Sequence, residues 1–168
     1  NPDQVKKLIP IYRYAEVRRA IDRGELIFVV EGEAVADALW QMGIAATTTI
    51  GGTEGYRRYG TYIDDLSGAR LILCPDRDAP GLKYITAVEA DFSDGIEGFV
   101  LAGSQGLWRQ PQGGMDIGDE IRDGIDSERL LGKIISGDEY RAATKPLPKG
   151  ENKGAGEKSK PPCPLEIA

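Results

Sequence analysis

The sequence predicts an α/β fold: a parallel four-stranded sheet flanked by helices, followed by a disordered C-terminal tail. Three observations carry this. The apolar runs at 26–30 (Leu-Ile-Phe-Val-Val) and 70–75 (Arg-Leu-Ile-Leu-Cys-Pro) are continuous, as in strands buried on both faces. Segments with apolar residues at helical spacing lie between such runs. The composition, 40% hydrophobic and 29% charged over 168 residues, is that of one ordinary globular domain.

The elements follow in order. Residues 14–21 read as a helix, and 26–30 as the first strand, which Gly32 breaks. Ala34, Val35, Ala38, Leu39 and Met42 then recur at helical spacing, and Gly43 closes that helix. Residues 44–50 (Ile-Ala-Ala-Thr-Thr-Thr-Ile) are β-rich and end at Gly51-Gly52. A helical or irregular piece covers 56–66, and 70–75 is the third strand. Pro80 stands where a first-turn proline belongs, with its helix continuing through Ile85, Val88, Ala90 and Phe92. Residues 96–102 form a fourth, less regular strand, and short helices are expected near 117–122 and 127–135. Strand–helix repetition implies right-handed crossovers, and no internal repeat is present.

Composition excludes several chemistries. The chain has no histidine, which removes Ser-His-Asp and Cys-His catalysis and His-containing zinc sites. The two cysteines, Cys74 and Cys163, are too far apart for a CxxC clip, and Cys74 inside an apolar strand reads as a small core residue. There is no phosphate-binding G-x-x-x-x-G-K-[ST] loop and no G-x-G-x-x-G dinucleotide fingerprint. No apolar run is long enough to span a membrane, and the N-terminus lacks the apolar core of a signal peptide, so the cytoplasm is the expected compartment. The chain opens on Asn1 rather than Met, as expected of a piece of something longer.

From Lys145 onward the composition shifts to Pro, Gly, Lys, Glu and Ser, with prolines at 146, 148, 161, 162 and 164. Such a segment buries too little to offset its ordering entropy. The expected organisation is an N-terminal extension and helix (1–24), a catalytic domain (25–136) and a flexible linker or tail (137–168). The last 24 residues carry five Lys and three Glu, so residues 1–144 hold −8 of a formal total of −6. That balance argues against a general polyanion-binding module, but not against an enzyme whose carboxylates hold metal ions at one spot.

In open α/β sheets the ligand site lies beyond the carboxyl ends of the strands. There the first strand ends at Glu31-Gly32-Glu33, the third at Asp76-Arg77-Asp78, and the fourth leads through a Gly-rich loop to Asp116 and Asp119. Carboxylates gathered without cations raise one another's pKa, and a divalent metal inverts that penalty. Oxygen-only ligands suit Mg²⁺ or Mn²⁺, which stabilise the attacking and leaving oxygens of phosphoryl transfer. Glu31 stands as a metal ligand or a general acid/base. Other meanings remain open at this level: Asp-x-Asp is most often a solvated turn, and Glu33 and Asp37 can simply complement a helix dipole. Most of the seven tyrosines read as packing.

Together, residues 27–33 (Ile-Phe-Val-Val-Glu-Gly-Glu) and 71–81 (Leu-Ile-Leu-Cys-Pro-Asp-Arg-Asp-Ala-Pro-Gly) resemble the Toprim domain of primases, type IA and type II topoisomerases and small nucleases. Its pattern is Glu-Gly after one hydrophobic strand and Asp-x-Asp-x-x-Gly after another. The resemblance covers about residues 11 to 135 and is closer to the primase-type segments of phage and plasmid replication proteins. Ile11-Tyr12-Arg13, Gly51-Gly52, Lys83 after the Asp-x-Asp-x-x-Gly, and Asp116-Ile117-Gly118-Asp119 fall at matching places. The sequence departs from the pattern at Ala34-Val35, where Lys-Asp is usual, and at Glu54, near the place of a loop Lys.

The resemblance implies a Toprim-like (Rossmann-like) sheet and a DNA primase or primase-helicase activity: metal-dependent nucleotidyl transfer making RNA primers on single-stranded DNA. It implies Glu31, Asp76 and Asp78 as catalytic residues, and Glu31, Asp76, Asp78, Asp116 and Asp119 as ligands of Mg²⁺ or Mn²⁺. Lys83, Arg57 and Arg77 are candidate phosphate contacts. Partners would be the template, nucleoside triphosphates and a helicase domain. Alternatives are a metal-dependent nuclease, a topoisomerase-like protein, or a non-catalytic replication module.

Overall fold

The computed structural model describes residues 1–103 and 114–145. The Gly-rich loop after the fourth strand and the tail from 146 lie outside the described residues. Strands β1 (Leu26–Val29), β2 (Ala46–Thr47), β3 (Arg70–Leu73) and β4 (Ile96–Phe99) form one sheet in the order β2-β1-β3-β4, every neighbouring pair parallel. The continuous apolar runs occupy the centre. Ile27 pairs with Leu71, Phe28 with Ile72 and Val29 with Leu73, and all six side chains are buried. A central strand covered on both faces has no solvated side on which to place polar residues, which is why neither run alternates.

Helices α1 (Pro2–Lys6) and α2 (Tyr14–Asp22) precede the sheet. Helix α3 (Glu33–Gln41) joins β1 to β2. Two short turns of helix, α4 (Gly52–Gly55) and α5 (Tyr62–Asp65), fill the path to β3, and α6 (Ala79–Asp91) joins β3 to β4. Helices α7 (Ile117–Arg122), α8 (Ser127–Leu131) and α9 (Gly137–Thr144) follow. From β1 the chain steps outward to β2, then returns past β1 to β3. Right-handed crossovers in opposite directions put α3 and α6 on opposite faces, and α3 packs with α7 while α4 packs with α6. No helix among the described residues is long and apolar enough to cross a membrane.

Several boundaries differ from expectation. The second strand is two residues long, because from Thr48 the chain turns to a different partner: the Thr48 carbonyl accepts from Tyr12 N–H and the Thr47 hydroxyl donates to the Tyr12 carbonyl. The segment before α2 thus covers this edge of the sheet. The expected helix at 127–135 stops at Leu131, and Ile135 instead forms an antiparallel bridge with Phe99 on the opposite edge.

The expected linker beginning at 137 starts instead with α9. Ser136 and Glu139 form a reciprocal capping box, Tyr140 stacks on Phe99 with ring centroids 4.0 Å apart, and Arg141 pairs with Glu89. One buried aromatic supplies the apolar area that the polar composition of 137–144 concealed.

Candidate active site

The reversal of strand order falls between β1 and β3, the crevice where open α/β sheets place ligands. Two residues past β1 stands Glu31, and just past β3 stand Asp76 and Asp78. Glu31 Oε1 accepts the Asp76 backbone N–H at 2.9 Å, so the two strand ends are tied together by one of the candidate side chains. Asp78 caps α6, its Oδ1 accepting from Gly81 N–H at 2.6 Å. Pro80 sits in the first turn, where its missing N–H costs nothing.

Gly81 explains the last position of the Asp-x-Asp-x-x-Gly pattern. A Cβ placed on it would lie 2.4 Å from the Asp76 carbonyl oxygen and 2.6 Å from Glu31 Oε1. Only a residue without a side chain lets α6 start this close to the ends of β1 and β3. The same distances put Glu31 Oε1 within about 8 Å of Asp78 Oδ1.

Asp116 and Asp119 reach the same rim by a route that local sequence does not reveal. Arg77 N–H donates to the Met115 carbonyl at 2.7 Å, an isolated antiparallel bridge that draws residue 116 alongside the end of β3. Asp116 and Asp119 then form a reciprocal capping box at the start of α7, with both N–H···O distances 2.9 Å. Asp119 also pairs with Arg122, and these bonds hold its carboxyl below the ordinary range.

The convergence is visible in Asp76. Burial first, then the charges of Glu31, Asp116, Asp78 and Asp119, push its carboxyl up to about 7. The other four expected carboxylates therefore all act on Asp76. They are not equivalent: Asp119 is spent on the cap and on Arg122, whereas the neighbouring charges felt by Asp76 among the described residues are carboxylates.

The candidate phosphate contacts separate into three cases. Lys83 lies on α6 just over one turn beyond Asp78, exposed and in no ion pair with a described residue. Arg77 is buried, with its guanidinium beside Gly103 and Met115, so it braces the loop ends rather than facing solvent. Arg57 is at the wrong end of α6. It grips both oxygens of Asp91 at 2.8 and 2.9 Å, and Asp91 also accepts from Tyr56. Asp91 and Asp78 are separated by the length of a 13-residue helix, about 20 Å. Arg57 thus serves packing there.

Sequence reasoning missed the bracing residues. Glu120 Oε1 accepts from Gly103 N–H at 3.0 Å and pairs with Lys133, which also donates to the Gly103 carbonyl. Asp37 is engaged structurally: it accepts from the Tyr12 hydroxyl and from Arg13 Nε at 2.8 Å, while the Arg13 guanidinium lies over the Trp40 ring. This clamp fastens the Ile11-Tyr12-Arg13 segment to α3. Burial pushes the Cys74 thiol far up, so it offers no thiolate to a metal.

Among the described residues no three such side chains already stand at joint ligating distance from one point. The donor chemistry nonetheless fits a hard divalent cation. The available ligands are carboxylate oxygens, and the charge that disfavours ionised Asp76 is the charge a cation would neutralise. Comparison with family models, with curated proteins and with solved structures finds no match to this chain.

Proposed function

We propose that this chain is a metal-dependent phosphoryl-transfer domain of the primase type, making RNA primers from nucleoside triphosphates on single-stranded DNA. The observation that carries the reading is the junction of Glu31 with Asp76. Carboxylates from two strand ends and a third segment converge at the switch point of a parallel sheet, and Asp76 bears their mutual repulsion. Such an arrangement is unfavourable unless it has a cationic ligand to hold. The choice of primase chemistry rests on the likeness to primase-type Toprim segments.

Asp76, Asp78 and Asp116 are the residues to hold Mg²⁺ or Mn²⁺, with Glu31 as a further ligand or as the group that takes a proton from a sugar hydroxyl. When bound, the cations supply charge stabilisation for the entering and leaving oxygens. Asp78 and Asp116 keep their orientation through the helix caps they form, which fixes one oxygen of each toward backbone. Glu31 is fixed likewise by Asp76 N–H. Lys83, exposed near the start of α6, is the candidate cationic group for a phosphate among the described residues, and template and helicase contacts would come from elsewhere in a larger assembly.

The test is primer synthesis from ribonucleotides on single-stranded DNA in Mn²⁺, with Glu31→Gln and Asp76→Asn as controls. Synthesis abolished by either substitution supports the reading. Strand cleavage without synthesis would transfer the same site to a nuclease. If millimolar Mn²⁺ fails to raise the melting temperature of the wild-type chain, the metal site itself is refuted.

A further inference from the structure

Beside the carboxylate rim, on the β2 side of β1, lies a cleft of about 480 Å³. Its walls are the segment 9–14 before and into α2 and the turn 48–52 after β2, together with Glu31 and Glu33. The volume is within the range of small-molecule sites. Glu31 belongs both to this cleft and to the junction with Asp76, so a molecule filling the cleft would reach the rim.

The lining states what kind of molecule fits. Tyr14 is 44% exposed and takes part in no ring stack among the described residues, unlike Tyr56, Tyr62 and Tyr140, which are buried against other rings. Ile9 and Ile50 add apolar surface. A flat, partly apolar ligand with a π face suits these walls. Two carboxylates in the same lining, Glu31 and Glu33, repel a phosphate but accept hydrogen bonds from vicinal hydroxyls, as acidic residues do with ribose.

We propose that this cleft seats the base and ribose of a ribonucleotide, with Tyr14 as the stacking residue and Glu31 and Glu33 facing the sugar hydroxyls, so that the phosphates leave toward the metal-binding rim. The orientation rests on the function proposed above, whereas occupancy of the cleft by a nucleoside does not require it. Arg13 is a wall of the cleft, but its guanidinium is held by Asp37 and positions the segment that carries Tyr14.

The experiment is titration of the full chain with adenosine and, separately, 2′-deoxyadenosine in EDTA, followed by amide chemical shifts. Movement of the Gly51, Gly52 and Tyr14 signals, saturable and weaker for the deoxynucleoside, is the expected result. Tyr14→Ala should weaken adenosine binding about tenfold and Tyr14→Phe should restore it, since the ring and not the hydroxyl stacks. Signals that move elsewhere, or an affinity unchanged in Tyr14→Ala, would overturn the inference. A parallel Mn²⁺ titration separates the two proposals: metal binding without nucleoside binding rejects the cleft alone, and nucleoside binding without metal binding rejects the metal site alone.

Discussion

Replacement of Asp76 by Asn removes one charge from the rim while keeping the shape of the side chain. In the folded protein the Asp76 carboxyl lies at about 7 instead of 3.8, through burial and four neighbouring carboxylates. The native state therefore holds this proton more tightly than the unfolded state. The resulting stability is fully present below pH 3.8 and is lost as pH rises through 7. Each tenfold change in proton affinity is worth about 1.4 kcal/mol, giving about 4 kcal/mol before solvent screening and about 2 kcal/mol for a half-buried group. Without metal at pH 8, Asp76→Asn should stabilise the chain by about 2 kcal/mol, a rise in Tm of about 6 °C. Near pH 4 the difference should approach zero, because the wild-type carboxyl is then already neutral. Adding Mg²⁺ at pH 8 should reverse the ranking, since only the wild type gains. The assay is thermal unfolding by circular dichroism from pH 4 to 8, in EDTA and in Mg²⁺. Parallel pH profiles for the two proteins, or a less stable variant at pH 8 in EDTA, would refute the convergence of charge.

Gly81→Ala should cost about 1–3 kcal/mol and abolish Mn²⁺ binding, because the new methyl group meets the Asp76 carbonyl and Glu31 Oε1; calorimetry of unfolding and metal titration read the two effects. Arg57→Ala should lower Tm slightly through loss of the Asp91 pair and leave nucleotide affinity unchanged, whereas Lys83→Ala should do the opposite, weakening triphosphate binding and its salt dependence at constant Tm. Tyr140→Ala should destabilise the domain by about 3–4 kcal/mol in urea unfolding, since the ring is buried on Phe99, and a chain cut before Gly137 should show at least as large a loss.

By itself the sequence determined the two central strands, the α/β class and the acidic ends of those strands. These features are local: burial on both faces imposes a continuous apolar run at Ile27–Val29 and Leu71–Leu73, and the residues that follow must lie at the sheet's carboxyl edge. The start of α6 was equally legible, because Asp78 and Pro80 act on the turn they occupy. Tertiary structure alone decided the rest. Asp116 joins the rim through a backbone bond between Arg77 and Met115, Arg57 is turned away by Asp91, and α9 forms because Tyr140 finds Phe99. Each of these depends on partners distant along the chain, where the pairing is chosen by packing geometry and by which charge lies nearest after folding. Residue type and spacing carry no record of that choice.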